Sequence, residues 1–115
     1  MDKGCKSVVC THTEDTDMVV GVWEDGPIGS FRGGRSGKIG FGGTAFGELG
    51  NSQIGPFEWY RPLIVQIIEF FRTGRAPVKK EETFEIYAFM EAADESKRKG
   101  GIPVSLESLF PKLKE

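Results

Sequence analysis

The sequence predicts an α+β domain in which antiparallel strands come first and helices follow. Short segments rich in Val, Thr, Trp and Phe, separated by turn residues, fill the first half of the chain. In the second half, apolar residues recur with helical spacing. Strands joined by short turns are antiparallel, and helices that follow them pack on one face of the sheet. We therefore expect an antiparallel sheet of about four to six strands, two main helices packed on one face, and the other face available for oligomerisation.

The strands are separated by clear turn signals. The dipeptide Asp25-Gly26, between two apolar runs, is a strong hairpin signal. A later strand is expected over Lys38–Phe46, with a turn and a short run that ends at Ile54. The first three predicted strands are Ser7–Thr13, Met18–Glu24 and Ile28–Arg32.

The first helix begins near Pro62, because proline is tolerated in the first turn, and it ends at Gly74. The second begins in "KKEETF", where acidic residues suit the helix dipole, and it ends at Gly100. A short edge strand in "IPVSLES" and a few helical residues follow. The apolar face of the first helix comprises Leu63, Ile64, Ile67, Ile68 and Phe71, and the expected buried face of the second comprises Ile86, Phe89, Met90 and Ala93.

The second predicted strand carries apolar residues on both of its faces. Met18, Val20 and Val22 point one way, whereas Val19 and Trp23 point the other. A sheet with one face in water alternates cleanly between apolar and polar residues. Since the helices cover only one face, the other face needs a partner, and we expect a homo-oligomer.

Length and composition narrow the class of protein. The 115 residues are 38% hydrophobic and 28% charged, which is typical of a single soluble domain over residues 1–115. The net charge of −2 and the lack of a basic stripe exclude nucleic acid as an expected partner. No apolar run reaches membrane-spanning length, and the N-terminus lacks a secretory signal core. With only two cysteines, a reduced cytoplasmic protein is expected.

The glycine-rich stretch from Phe31 to Gly50 contains a G-x-G-x-x-G/A match at Gly40–Ala45. A dinucleotide loop needs a strand before this motif and a helix after it, yet "FGELGN" follows without helical periodicity. A phosphate-binding P-loop is excluded as well, because its spacing is short by one residue and Ile39 replaces the metal-binding Ser or Thr. Glycines inside strands instead mark bulges or close approaches.

A basic cluster and a possible nucleophile are the other candidate sites. Arg32, Arg35 and Lys38 can bind a phosphate or carboxylate, or they can form a solvated rim. Cys10 and His12 lie two residues apart on one strand face, as a nucleophile and its base would, but no third group that orients the histidine is identifiable. Neither His12 nor the cysteines show zinc-ligand spacing. We assign no catalytic, cofactor-binding or metal-binding residue.

The segment Pro62–Ser108, with "PLIVQIIEFFRTGRAPV" and "EETFEIYAFMEAADESKRKGGIPVSL", resembles the end of oxidoreductases of the Gfo/Idh/MocA family (glucose-fructose oxidoreductase, inositol dehydrogenase and rhizopine catabolism proteins). The glycine-rich "GSFRGGRSGKIGFGGTAFGELG" resembles the antiparallel strands that precede those helices. The resemblance runs from about Val8 to Ser108, nearly the whole chain, and its last fifty residues are the most specific part.

Family members have an N-terminal Rossmann half that binds NAD or NADP and a C-terminal α+β half that shapes the substrate pocket and forms the oligomer. This sequence resembles only the C-terminal half. The family's cofactor loop, its Glu-Lys-Pro motif and its Asp-x-x-x-His motif have no counterpart here. The resemblance therefore implies no cofactor in this chain, and NAD or NADP only if a separate Rossmann chain exists.

The resemblance also implies that the sheet face turned away from the helices contacts another subunit. Aromatic residues are favoured in the core of such interfaces. The expected interface residues are Trp23, Phe31, Phe41 and Phe46.

Four functions follow from the sequence. The leading expectation is an oxidoreductase C-terminal-type domain that serves oligomerisation and substrate-pocket shaping and is not catalytic alone. The alternatives are a module that binds a sugar or anionic ligand through Arg32, Arg35 or Lys38, and one subunit of a split NAD(P)-dependent dehydrogenase. The weakest is an enzyme that uses Cys10 and His12.

Overall fold

In a computed structural model, the chain forms two compact units. The first, here called the sheet unit, combines Met1–Gly37 with Val78–Glu115. The second, here called the hairpin unit, is Lys38–Pro77. The assignment of residues 1–115 to a single domain stays a prediction. The structure describes residues 4–37, 40, 42–55 and 58–110.

The elements confirm the predicted α+β class with antiparallel strands and two main helices. The strands form two sheets, with the order β3-β2-β1-β6 in the sheet unit and the pair β4-β5 in the hairpin unit. Helix α2 packs on the four-stranded sheet, whereas α1 belongs to the hairpin unit. In chain order the elements are β1 (Cys5–His12), β2 (Thr16–Trp23), β3 (Ile28–Gly34), β4 (Thr44–Gly47), β5 (Gly50–Gln53), α1 (Arg61–Thr73), α2 (Lys80–Arg98) and β6 (Val104–Ser105).

The hairpin between β2 and β3 lies where the sequence predicts it. Gly26 has a φ of 111°, a left-handed conformation that glycine adopts without steric cost. The N–H of Trp23 donates to the carbonyl of Pro27 at 3.0 Å and closes the loop. The register that follows pairs Val22 with Ile28 and Val20 with Ser30. The Asp25-Gly26 signal therefore sets which side chains of β2 and β3 share a face.

The core lies between α2 and one face of the four-stranded sheet. Trp23 and Phe89 stack at the edge of this core, with ring centroids 6.1 Å apart. Because β-strand side chains alternate, the opposite face carries the residues between the buried ones. The buried apolar residues are Cys5, Val8, Cys10, Val19, Ala88, Ala92, Val104, Leu106 and Leu109.

The buried face of α2 differs from the predicted one. Ile86 and Met90 are 39% and 49% exposed, so the prediction that they are buried is wrong. Phe89 and Ala93 are partly buried against the core, as expected of that face. The helix contacts the sheet through a stripe of small or hydrogen-bonded residues one position earlier, which are Glu85, Ala88, Ala92 and Ser96.

Two polar side chains on this stripe satisfy backbone donors of β1. Strand β6 pairs with β1 only at Ser7 and Val8, so it leaves the flanking N–H groups to other partners. The carboxylate of Glu85 accepts the N–H of Cys5 at 2.8 Å, and Ser96 Oγ accepts the N–H of Cys10 at 2.9 Å. A buried backbone donor without a partner costs about as much as a lost hydrogen bond. Polar residues therefore hold the helix against the strand where the sequence pattern suggests apolar ones.

The hairpin unit contains the short β4-β5 pair and helix α1. Pro62 lies in the first turn of α1, and Gly74, at φ 72°, ends the helix, both as predicted. Every described residue of this unit is exposed. The predicted strand Lys38–Phe46 is confirmed only at its end, where β4 begins at Thr44. Its residues Lys38, Ile39 and Phe41 lie outside the described residues.

Candidate functional site

The face of the four-stranded sheet opposite α2, here called the open face, is the main candidate site. Its apolar members lie side by side in the register of β1, β2 and β3: Val9 faces Val20, and Val22 faces Ile28. Met18 lies between Thr11 and Arg32 near one end of the same face. The prediction that Met18, Val20 and Val22 point away from Val19 and Trp23 is therefore confirmed.

These side chains remain accessible in the folded chain. Met18, Val22 and Ile28 are 41%, 37% and 70% exposed, and Val9 and Val20 are half-buried among them. A contiguous apolar patch on a folded domain is typical of a surface that binds another protein or a ligand.

Two of the predicted interface aromatics lie on the other face of the sheet. Trp23 is half-buried and stacks on Phe89 of α2. Phe31 pairs in register with Val19, which α2 covers, yet its own ring is 61% exposed because it lies at the β3 edge. Trp23 therefore contributes to intramolecular packing, and Phe31 lines a cleft beside α2.

The other two predicted interface aromatics belong to the hairpin unit. Phe46 in β4 is 78% exposed, and Phe41 lies outside the described residues. Of the three predicted aromatics that the structure describes, Trp23 and Phe31 therefore lie in the sheet unit and Phe46 in the hairpin unit. The apolar members of the open face are aliphatic rather than aromatic. The alternation of residues along β2 was the sequence feature that predicted this face.

The two described members of the predicted basic cluster, Arg32 and Arg35, have different surroundings. Arg32 pairs in register with Met18 and lies on the open face. The guanidinium of Arg35 donates to the carbonyl of Thr13 at 3.2 Å and pairs with the carboxylate of Asp17. Lys38 lies outside the described residues. Of the cluster, Arg35 is engaged in an ion pair and Arg32 points to the apolar surface.

Asp17 forms a charged cluster that sequence reasoning missed. Its Oδ1 lies 2.5 Å from Nδ1 of His12, while Oδ2 pairs with Arg35 and lies 3.5 Å from Nζ of Lys97. The hydrogen bond from His12, with the positive charges of Arg35 and Lys97, holds the pKa of Asp17 below its ordinary value. The strand register could have revealed the pair of Asp17 and His12, because these two residues face each other across the β1-β2 turn.

The cluster clarifies the Cys10 and His12 hypothesis. Asp17 is an orienting partner for His12, which the sequence did not reveal. However, Cys10 is 3% exposed, and burial followed by the charge of Asp17 raises the pKa of its thiol. Within the described residues, the thiol forms no hydrogen bond with the imidazole. Burial also raises the pKa of Cys5, and both cysteines are free thiols. These features are typical of a structural cysteine.

The glycine-rich motif shows a close approach at one position. A Cβ added at Gly43 would lie 3.0 Å from Cδ1 of Ile54, whereas Gly40 and Gly42 have open space around them. The closest approach in the sheet unit is at Gly21, where an added Cβ would lie 2.6 Å from the ring of Phe89. Glycine at position 21 therefore makes room for the stack of Trp23 on Phe89.

The described part of the chain holds no group of three or more His, Cys, Asp or Glu residues placed to bind a metal ion. Among the described helices, none is both long and apolar enough to cross a membrane. The chain matches no protein-family model, no curated protein sequence and no solved structure.

Proposed function

We propose that the chain is an assembly domain that joins subunits through the open face, in the manner of the C-terminal half of Gfo/Idh/MocA oxidoreductases. In this proposal it shapes the substrate pocket of an assembled enzyme and carries out no chemistry alone. The redox cofactor, NAD or NADP, would enter with a separate Rossmann chain. The whole would work in the cytoplasm.

The observation that carries the proposal is the aliphatic open face of the four-stranded sheet. Val9, Val20 and Val22 form its centre, and Met18 and Ile28 extend it. Leaving such side chains in water costs free energy in proportion to their area, so contact with a second apolar face is favourable. Antiparallel sheets keep one face polar when that face is solvated, and this face is not polar at its centre.

The resemblance of residues Val8 to Ser108 to the oxidoreductase C-terminal half supports the same proposal from the sequence. The resemblance and the apolar open face are independent observations, because the first depends on sequence motifs and the second on the register of the strands. Cys5 and Cys10 are buried, and burial raises the pKa of both thiols, which suits a structural role for the two cysteines.

The test is the molar mass of the chain in solution, measured by size-exclusion chromatography with light scattering over a dilution series. We expect a dimer or larger species. Met18→Glu and Ile28→Glu place a charge on exposed positions of the open face, so they leave the fold intact while weakening association. A charge that an interface removes from water without giving it a partner costs about 2 kcal/mol or more, or roughly thirtyfold in the dissociation constant.

The matched control is Tyr87→Glu, which introduces the same charge at an exposed apolar residue of α2. It should leave the mass unchanged. A chain that stays monomeric at every concentration contradicts self-assembly, and the proposal then survives only if a Rossmann chain binds the open face. Equal dissociation by all three variants would move the interface away from this face.

A further inference from the structure

A second surface of the sheet unit, separate from the open face, has the properties of a ligand site. A cleft of about 270 Å³ lies beside α2, on the face of the sheet that the helix covers only in part. Ligand pockets commonly run from about 300 to 1,000 Å³, so this cleft suits a ligand of the size of an amino acid rather than a nucleotide.

Most residues that line the cleft are apolar. Val19 and Phe31 contribute from the sheet, and Phe89, Met90 and Ala93 contribute from α2. Phe31 and Met90 are 61% and 49% exposed, which leaves an aromatic ring and a thioether open to a ligand. Such side chains pack well against aliphatic and aromatic groups.

The lining of the cleft presents both signs of charge, because it includes Asp17, Asp94 and Lys97. Asp94 and Lys97 lie one turn apart on α2, and both line the cleft. Lys97 contacts Asp17 at 3.5 Å, but an ammonium has three donors, and Asp17 is already shared with His12 and Arg35. Asp94 forms no ion pair with any residue in the described part of the chain. Asp94 thus offers a carboxylate acceptor and Lys97 an ammonium donor, and both lie beside the apolar side chains of the cleft.

We propose that this cleft binds a free amino acid with an apolar side chain. The ligand's carboxylate pairs with Lys97, its ammonium pairs with Asp94, and its side chain lies between Phe31 and Met90. A ligand with one charge leaves one of the two protein charges without a partner. The site therefore distinguishes a zwitterion from the matching acid or amine.

The test uses amide chemical-shift titration of the isotope-labelled full chain. The ligands are L-phenylalanine, the same skeleton without the ammonium (3-phenylpropionate), the skeleton without the carboxylate (phenethylamine), and glycine, which lacks the apolar group. We expect L-phenylalanine to shift amides of β3 and of residues 89–97. Each other ligand should bind at least about tenfold more weakly, since each lacks either one charge-assisted hydrogen bond or the apolar burial.

The decisive variant is Asp94→Asn, an exposed position whose change leaves the fold intact. It should abolish the preference for L-phenylalanine over 3-phenylpropionate while leaving the affinity for 3-phenylpropionate within about twofold. Glu81→Gln, a carboxylate elsewhere on the exposed surface of α2, should keep the preference. The proposal is overturned if no ligand shifts these amides at millimolar concentration, if the acid binds as well as the zwitterion, or if Asp94→Asn keeps the preference. None of these outcomes depends on the oligomeric state of the open face.

Discussion

The sheet unit and the hairpin unit differ in how they use apolar residues. In the sheet unit, Val8, Ala88 and Ala92 are fully buried, and Leu106 is 1% exposed. In the hairpin unit, every described residue is exposed, including the seven large apolar residues of α1. The more apolar of the two helices is thus the one without a core, while α2 contacts its sheet through alanine, serine and a hydrogen-bonded glutamate.

The comparison of the two helices shows that apolar periodicity predicts where a helix forms but does not predict which element, if any, buries its apolar face. Small residues let α2 approach the strand, and polar side chains at both ends of the stripe satisfy strand donors. Helix α1 has 13 residues, and isolated helices shorter than about 12–15 residues are marginal in water. The hairpin unit therefore gains little stability from its own packing, and its apolar helix has surface to offer a partner.

The largest expected effect comes from one substitution made in both units. Leu106→Ala removes a fully buried side chain and should lower the free energy of unfolding by about 2–5 kcal/mol, since the lost transfer energy adds to the cost of the cavity. Leu63→Ala on α1 makes the same chemical change at a residue that is 55% exposed. It should cost less than about 0.5 kcal/mol.

Urea denaturation followed by tryptophan fluorescence separates the two units, because Trp23 lies in the sheet unit and Trp59 in the hairpin unit. A Trp59→Phe background reports the sheet unit alone and is used for Leu106→Ala, whereas a Trp23→Phe background reports the hairpin unit and is used for Leu63→Ala. A cost for Leu63→Ala as large as that for Leu106→Ala in the monomeric chain would mean that α1 has a core after all.

A smaller effect is expected from the hydrogen bonds that join α2 to β1. Ser96 is fully buried; its hydroxyl accepts the N–H of Cys10 and donates to the carbonyl of Ile102 at 2.6 Å. Ser96→Ala leaves both backbone groups without this partner and should lower the free energy of unfolding by about 1–3 kcal/mol. The control Ser52→Ala, on the exposed strand β5, should stay within about 0.5 kcal/mol of the parent. Equal effects at the two serines would contradict the proposed role of the buried hydroxyl.

The smallest effect concerns acid stability. The pKa of Asp17 is lowered in the folded chain, first by the hydrogen bond from His12 and then by Arg35 and Lys97. A carboxyl group with a depressed pKa stabilises the fold above its unfolded pKa, about 3.9 for aspartate, and this contribution disappears as the pH falls through the folded value. Asp17→Asn should therefore be less stable than the parent at pH 7, and the difference should shrink in acid below about pH 4.

Thermal unfolding of both chains between neutral pH and strong acid measures this difference. Glu14→Gln, a change in the exposed turn that precedes Asp17, is the control and should leave the pH profile unaltered. A gap between the Asp17→Asn and parent curves that persists at the acid end would show that Asp17 stabilises the fold by something other than its charge.

Local chemistry made much of the fold predictable. A few neighbouring residues were enough to predict the features that the structure confirms. These are the turn at Asp25-Gly26, the helix start at Pro62, the helix end at Gly74 and the alternation along β2. What could not be predicted depends on residues far apart in the chain. The partner of Glu85 lies 80 residues away and that of Ser96 lies 86 away, so neither hydrogen bond has a signal in the neighbouring sequence.

The same difference between local and distant residues applies to the candidate sites. The aliphatic open face followed from β2 alone, since side chains alternate along a strand. The cluster around Asp17 and the cleft beside α2 did not, because each combines a strand with Lys97 of α2. Aromatic residues were the expected interface members, yet Trp23 is used inside the sheet unit, where Phe89 covers it.

The order of the sheet has a consequence for synthesis on the ribosome. Strand β1 lies between β2, which follows it at once, and β6, which begins only at Val104. A nascent chain can form the β1-β2-β3 meander early. The backbone N–H groups of Cys5 and Cys10, however, have their α2 acceptors only after that helix has emerged from the ribosome. Throughout that interval the meander exposes apolar side chains on both faces and an unpaired β1 edge. Such an intermediate is prone to aggregate, and a chaperone that shields strand edges would serve this protein before any functional partner does.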